Sequence, residues 1–257
     1  MTRTELDGVP RTPTALRRTA FLGGALYVLT FLSSIPAVAL IGPVLNDPEY
    51  VLGPGPDTQV LWGAVLDIVN PIAAIGTAVV LYPVVKRQSQ SFALGFVASR
   101  VLEAATLMVG VLAVLAVVTL RQDLGATGDP SLGTVAAGLV AVRDWAFLIG
   151  TSAAVANALL LGTLMYRSRL VPRVIPLMGL IGAPLLLLGN GLTMFGLNDL
   201  VSGMTVVTLP GIFFWELSLG VYLMVKGFRP SPVTAGLLAA DHAATGPAAP
   251  TTMAVAR

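Results

Sequence analysis

Apolar residues fill six long stretches of the chain, and polar residues are gathered in the short segments between them. A helix needs about 20 apolar residues to cross a hydrocarbon core about 30 Å thick, and every stretch reaches that length. Helices are the open-ended elements that satisfy their own backbone in lipid, so the pattern predicts an all-α bundle of six transmembrane helices. The predicted spans are 20–45, 60–85, 92–120, 135–166, 174–197 and 204–225.

Composition supports a membrane protein and excludes several kinds of chemistry. Of 257 residues 55% are hydrophobic and 11% charged, whereas about a quarter of a soluble domain is charged. The absence of Cys excludes disulfides, thiolate catalysis and metal sites built on sulfur. The net charge of +2 is spread over short loops and forms no basic run. We therefore expect no nucleic acid, no resident metal or cofactor, and a lipid bilayer around the protein.

Lys and Arg lie on alternate sides of the apolar stretches, which predicts the orientation of the helices. The N-terminal tail, the second and fourth loops and the flank that follows the sixth stretch (226–229) carry eleven of them, whereas the other three loops carry Arg121 alone, together with six Asp or Glu residues. Short cytoplasmic loops are enriched in Lys and Arg, so both termini are predicted to be cytoplasmic. Arg outnumbers Lys, and Ala, Gly and Val are abundant, as is typical of a GC-rich bacterial genome. The predicted location is therefore a bacterial plasma (inner) membrane.

The predicted organisation is a transmembrane domain, 19–229, between two cytoplasmic tails, 1–18 and 230–257. The C-terminal tail is rich in Ala, Thr and Pro and has no hydrophobic periodicity, so it is predicted to be disordered. The first span has the basic flank and small residues of a cleavable signal peptide, but its apolar run is longer than the roughly 7–15 residues of a signal core. We expect it to remain as a transmembrane helix.

Four polar side chains fall near the middle of the predicted spans. At about 1.5 Å per residue, Glu216 and Asn157 each lie about 15 Å from the basic end of their helix. Arg100 and Glu103 lie about 14 and 18 Å deep by the same rise. Polar and ionisable residues in transmembrane helices are costly and typically face the bundle interior. Arg100, Glu103, Asn157 and Glu216 are therefore the candidate ligand- or ion-binding site.

The charges of these four residues do not balance. Arg100 and Glu103 are three positions apart and are expected to pair within one helical turn, whereas Glu216 has no such neighbour. An unpaired buried carboxylate takes up a proton or holds a cation, which predicts that a proton, a metal ion or a cationic group completes the site. The alternative is that Arg100 bridges both carboxylates and only fixes helix register. The sequence supports the two interpretations about equally.

A second polar layer is predicted near the opposite face of the membrane. It consists of Asp67 and Asn70 on the second span, Arg143 and Asp144 on the fourth, and Asn190 on the fifth. Adjacent positions on a helix do not face each other, so Arg143 and Asp144 are expected to seek different partners. Whether this layer is solvated is left open.

Several short motifs, in this order, resemble the bacterial domain of unknown function 4386 family. The resemblance runs from about residue 17 to about 230 and implies an integral membrane protein of six helices. It implies no activity and supplies no catalytic residue. The motifs are RVLEA (100–104), RDWAFLIG (143–150), Asn157, YRSRLVPR (166–173), GLIG (179–182), Glu216 and KGFRP (226–230).

Three classes of function are compatible with these features. A carrier or receptor for a small ligand, proton or cation is favoured by midplane polar residues on several helices. A homo-oligomer or a membrane partner would supply further residues to line its binding site. A structural or regulatory subunit without a ligand requires only a paired polar network. A membrane-embedded enzyme is the weakest interpretation, because no metalloprotease or Ser-His motif is present and no catalytic residue is predicted. A carrier predicts a polar cavity reaching the midplane, a structural subunit a dry paired core, and an enzyme an opening onto its acids.

Overall fold

The computed structural model describes residues 14–197 and 203–235. Within those ranges the chain is helical and contains no strand, which confirms the predicted all-α bundle of six helices. A 3₁₀ turn at Gly125–Thr127 follows the third helix. The helices are α1 (Thr14–Asn46), α2 (Asp57–Val85), α3 (Gln90–Leu124), α4 (Ser131–Ser168), α5 (Val174–Met194) and α6 (Gly203–Val225).

The helices have the length and surface expected of membrane spans. In the described ranges α1 to α5 are long and apolar enough to cross a bilayer, and the apolar segment Pro210–Val225 of α6 is shorter. Large apolar side chains point outward along the bundle; Leu32, Ile72 and Leu112, for example, are each more than 60% exposed. Soluble proteins rarely expose apolar surface as extensive as this, and the surface is that expected of a bundle surrounded by lipid.

The six helices form a closed ring. Each helix packs against the next along the chain, and α6 returns to pack against α1. Arg17 of α1 fastens this closure by donating to the carbonyls of Leu223 at 3.1 Å and Met224 at 2.8 Å. The start of α1 and the end of α6 therefore lie at the same end of the bundle. We call this the basic end and the opposite one, which carries Asp57, the acidic end.

Glycines hold α6 tightly on both flanks. A Cβ atom on Gly24 of α1 would lie 2.5 Å from the carbonyl oxygen of Gly220, and one on Gly182 of α5 would lie 2.7 Å from the backbone of Gly211. Small residues at such contacts allow two helix backbones to approach closely. The position of α6, and with it that of Glu216, is fixed between α1 and α5.

The described chain extends slightly beyond the predicted transmembrane domain. Helix α1 begins at Thr14, and after α6 the backbone amide of Arg229 donates to the carbonyl of Leu170 at 2.7 Å. Thr234 is buried. The remaining parts of the two predicted tails, 1–13 and 236–257, lie outside the described residues.

Candidate functional site

Arg100 joins α3 to α6 across the interior of the ring. Its Nη1 atom lies 3.0 Å from Oε2 and 3.2 Å from Oε1 of Glu103, one helical turn away. Its Nη2 atom donates to Glu216. The expected pairing of Arg100 with Glu103 is confirmed, and the same guanidinium also reaches the second carboxylate. The three ionic groups form one cluster with one positive and two negative groups.

Asn157 brings α4 into the same cluster. Its Nδ2 atom donates to Oε2 of Glu103 at 2.6 Å, and its side chain is fully buried. All four predicted midplane residues therefore converge. Arg100 is 1% exposed, so the cluster lies in a medium where unpaired charge is costly.

The ring of Tyr27 completes the surroundings of Arg100. The guanidinium carbon of Arg100 lies 5.1 Å from the centre of the Tyr27 ring, within the range of a cation–π interaction. Sequence reasoning missed Tyr27, because a tyrosine in an apolar span has no feature that separates it from a packing residue. Tyr27 lies on α1, so four helices contribute to the cluster.

Some polar atoms of the cluster have no partner within the described residues. Tyr27 Oη, Arg100 Nε and Asn157 Oδ1 are buried without a hydrogen bond, and so is Nε1 of Trp215, the residue before Glu216. Native proteins pair nearly all buried polar atoms. The cluster thus keeps hydrogen-bonding capacity that its own members do not use.

A cavity of about 180 Å³ opens onto the ionic cluster. A water molecule occupies roughly 30 Å³ in the liquid, so the cavity has room for a small ligand or several waters. Every helix of the ring contributes to its wall. The lining residues are Thr30, Phe31, Ser34, Asn70, Arg100, Glu103, Leu107, Phe147, Gly150, Thr151, Ala154, Leu186, Ile212, Phe213 and Glu216.

The cavity lies on the acidic side of the cluster. Leu107 follows Glu103 towards the acidic end of α3, and Ile212 precedes Glu216 on α6, which runs in the opposite direction. On the basic side, a tightly packed apolar core fills the ring. Its members include Tyr27, Leu81, Phe96, Leu161, Trp215 and Leu219, all with no exposed surface. The cavity therefore lies between this core and a second packed apolar cluster nearer the acidic end, which includes Ile41, Val60, Val114 and Leu132.

The residues of the predicted outer polar layer do not converge on one site in the structure. Asn70 lines the cavity. Asn190 instead ties α5 to α4, because its Nδ2 atom donates to Thr151 Oγ1 at 3.1 Å and to Ser152 Oγ at 3.0 Å. Asp67 is partly buried on α2.

Arg143 and Asp144 do not have separate partners, so that expectation is wrong. Nη1 of Arg143 lies 3.4 Å from Oδ1 of Asp144, because the long arginine side chain folds back over its own helix. The guanidinium also lies 5.2 Å from the centre of the Phe147 ring. The Asp144 side chain is 44% exposed.

Sequence reasoning also missed a clamp at the acidic end, where Arg121 appeared only as a charge. Arg121 donates through Nε to the carbonyl of Gly53 at 3.0 Å, through Nη2 to that of Gly55 at 3.1 Å, and through Nη1 to Asp57. The hydroxyl of Tyr50 also donates to Asp57, at 2.7 Å. Burial and the neighbouring Asp57 carboxylate raise the pKa of Tyr50 above its ordinary value, which keeps the phenol protonated as a donor.

Within 14–197 and 203–235, no three His, Cys, Asp or Glu side chains are grouped as a metal site. The two carboxylates at the cavity come with an arginine between them, an arrangement that favours hydrogen bonding over multidentate metal coordination. The chemistry available at this site is therefore the binding of a small polar or charged group.

Comparison with known proteins gives a family but no activity. No curated protein and no solved structure matches this chain. The model of a family described as a domain of unknown function (DUF4386) matches residues 22–227, which include α1 from Leu22 onwards, all of α2 to α6, the ionic cluster and the cavity. This multi-pass membrane protein therefore belongs to the DUF4386 family.

Proposed function

We propose that this protein binds a small cation in the cavity beside Arg100, Glu103 and Glu216, and that it acts as a carrier or receptor in a bacterial inner membrane. One observation carries the proposal: a cavity walled by all six helices opens onto a buried cluster with one more carboxylate than guanidinium. The positive-inside pattern supports a cytoplasmic basic end.

Charge balance favours a cation over an anion or a neutral ligand. With both carboxylates ionised the cluster carries a formal charge of −1, and burying net charge in a medium of low dielectric is unfavourable. A monovalent cation next to Glu216 restores neutrality without breaking either contact of Arg100. The cavity volume of about 180 Å³ suits a hydrated inorganic ion or a short amine.

The arrangement of the walls favours a carrier or receptor over passive binding. An occupant touches residues of every helix, so its arrival changes contacts throughout the ring. Binding sites near the middle of a helical bundle are typical of carriers.

One observation favours the structural alternative. Arg100 contacts both carboxylates, and a bridge of this kind fixes the register of α3 against α6 without any ligand. A purely structural subunit, however, requires a dry and fully paired core. The cavity and the unpartnered atoms of Arg100 and Asn157 go beyond that requirement.

Calorimetric titration of the detergent-solubilised protein tests the proposal. Sodium, potassium, ammonium, methylammonium and choline are titrated at constant ionic strength into the wild type, Glu216→Gln and Glu49→Gln. Glu49 is an exposed loop carboxylate, so the last variant makes the same chemical change away from the cavity. We expect saturable binding of at least one small cation by the wild type and Glu49→Gln, weakened roughly tenfold or more in Glu216→Gln, which corresponds to about 1.4 kcal/mol.

Absence of binding by the wild type, or equal binding by Glu216→Gln, overturns the proposal. Either result favours the structural role of the Arg100 bridge.

A further inference from the structure

Two phenylalanine rings line the cavity beside Glu216. Phe213 lies three residues before Glu216 on α6, so the two side chains are neighbours on one face of that helix. Phe31 comes from the adjacent helix α1, and the centres of the two rings lie 4.9 Å apart with their planes inclined by 73°. An edge-to-face pair of this kind leaves most of its ring faces uncovered by the partner ring. The wall of the cavity next to the carboxylate is therefore aromatic.

The same face of α1 already holds a positive charge against an aromatic ring. Tyr27 lies four residues before Phe31, which places the two side chains one helical turn apart. The centre of the Tyr27 ring lies 5.1 Å from the guanidinium carbon of Arg100. Within the described residues no Lys or Arg lies over the rings of Phe31 and Phe213, so these two rings remain available to a ligand.

The rest of the wall suits carbon groups better than an inorganic ion. Aliphatic side chains, such as Leu107 and Ile212, contribute to it. An inorganic cation needs several oxygens in place of its hydration shell, and the backbone carbonyls of helices are engaged in their own hydrogen bonds. The side-chain oxygens in the wall belong to two carboxylates that already bond Arg100 and to short polar residues. Among these, the Thr30 hydroxyl donates to the carbonyl of Tyr27 at 2.7 Å.

We propose that Phe31, Phe213 and Glu216 form an aromatic cage that selects an alkylated ammonium ion over an inorganic cation. The inference rests on the proposed cation site and adds the chemical class of its ligand. The positive charge lies against the Glu216 carboxylate, and the carbon groups over which that charge is spread lie against the ring faces. Aromatic rings attract quaternary ammonium ions in this way through their quadrupole.

Alkylation also lowers the cost of burying the ligand. Each N–H group of an ammonium ion needs a hydrogen-bond acceptor once water is removed, and an unpaired one is unfavourable in a medium of low dielectric. A fully alkylated ammonium ion carries no N–H group. It therefore needs only one carboxylate for its charge and apolar contacts for its surface, and the aromatic cage provides both.

Calorimetric titration of the full-length protein in detergent compares four probes. Tetramethylammonium and choline carry a permanent charge, potassium is an inorganic cation, and the fourth probe is the neutral isostere of choline in which carbon replaces nitrogen. We expect tetramethylammonium and choline to bind about tenfold or more tightly than potassium, and the isostere to bind about tenfold or more weakly than choline. Tighter binding of potassium, or equal binding of choline and its isostere, overturns the inference.

Removing one ring tests the aromatic cage itself. Phe213→Leu keeps an apolar side chain but removes the ring beside Glu216. The matched control is Phe214→Leu, because Phe214 is the next residue on α6 and is 56% exposed on the outer surface. We expect Phe213→Leu to weaken tetramethylammonium binding about fivefold or more and Phe214→Leu to bind it like the wild type. Equal binding by the two variants overturns the inference.

Fluorinated phenylalanines at position 213 keep the test decisive if Phe213→Leu does not fold. Each added fluorine weakens the negative face of the ring and hardly changes its size. We expect the affinity for tetramethylammonium to fall stepwise from one to three fluorines, while the melting temperature without ligand stays unchanged. A purely packing role of Phe213 predicts constant affinity across the series, and that result overturns the inference.

The inference and the proposed function fail in different ways. Binding of sodium or potassium that depends on Glu216, without binding of the alkylated ions, retains the proposed function and removes the aromatic cage. Absence of binding by every cation removes both.

Discussion

Arg100 at the centre of the bundle and Arg121 at its acidic end perform different tasks with the same side chain. Arg121 divides its donors between one carboxylate, Asp57, and the carbonyls of Gly53 and Gly55. One negative charge meets one positive charge, and the loop between α1 and α2 is fastened to α3. Arg100 meets two carboxylates, keeps its Nε atom unpartnered and faces a cavity.

The difference shows which arginine has a purely structural role. The rigid fork of an arginine suits simultaneous contact with a carboxylate and carbonyls, and at the Arg121 clamp that geometry is complete. At Arg100 charge and hydrogen bonding both remain unbalanced, although the site is more deeply buried. Under the proposed function, a bound cation relieves the imbalance in this more costly location.

Removing Arg100 should have the largest effect. Arg100→Met leaves two buried carboxylates without their partner, and breaking a buried ion pair in this way costs about 3–5 kcal/mol. Equilibrium unfolding in mixed detergent micelles measures the loss. The triple variant Arg100→Met, Glu103→Gln, Glu216→Gln should recover much of it, and no recovery would show that packing by Arg100 outweighs its charge.

Changing the glycine contact between α5 and α6 should weaken the site at a distance. Gly182→Ala forces the backbones of α5 and α6 apart and should cost about 1–3 kcal/mol, as overpacking does, and weaken cation binding because α6 carries Glu216. Gly191→Ala on the same helix is the matched control, since no atom lies within 4 Å of its added Cβ. Equal unfolding free energies for the two variants would contradict this contact.

Replacing the arginine of the acidic-end clamp should affect stability alone. Arg121→Lys keeps the charge but loses the fork that reaches both carbonyls, and hydrogen bonds of charged groups contribute about 1.5–3 kcal/mol each at most. We expect a loss of roughly 1–2 kcal/mol, with cation affinity unchanged within a factor of two. A change in affinity as large as that of Glu216→Gln would remove the distinction between the two arginines.

The smallest effect should come from the exposed turn before α4. The backbone amide of Ser131 donates to Asp129 Oδ1 at 2.9 Å and lowers the pKa of Asp129 below its ordinary value. The stability contributed by Asp129 is therefore complete above the ordinary pKa and is lost as pH falls through the lowered one. Asp129→Asn should remove this acid-range dependence with little change at neutral pH, which melting curves across pH measure. A difference from the wild type that is the same at every pH would contradict it.

Much of the fold could be predicted from hydrophobic length alone. The span predicted at 60–85 corresponds to α2, which runs from Asp57 to Val85 in the structure. The span predicted at 92–120 corresponds to α3, Gln90–Leu124. Helix ends differ by a few residues because polar residues such as Asp57 continue a helix beyond the apolar core. The ring closure between α1 and α6 was not predicted, since it depends on Gly24 meeting Gly220, a pairing that hydropathy does not encode.

Depth in the membrane and charge were enough to predict the ionic cluster. Contacts that depend on how far a side chain reaches could not be predicted from the sequence. Arg100, Glu103, Asn157 and Glu216 converge because buried polar groups find one another in lipid. The contact between Arg143 and Asp144 was not predicted, because helix phase ignores how far an arginine can fold back. The Arg121 clamp depends on loop carbonyls, whose position no residue type specifies.

The proposed function requires Glu216 to receive the cation, and thermal unfolding of three proteins side by side tests this requirement most directly. Wild type, Glu216→Gln and Asp57→Asn are melted in detergent with and without the cation that binds most tightly. We expect the cation to raise the melting temperature of the wild type and of Asp57→Asn, whose basal melting temperature is lower, and to leave that of Glu216→Gln unchanged. A shift that persists in Glu216→Gln, or that disappears in Asp57→Asn, would contradict it.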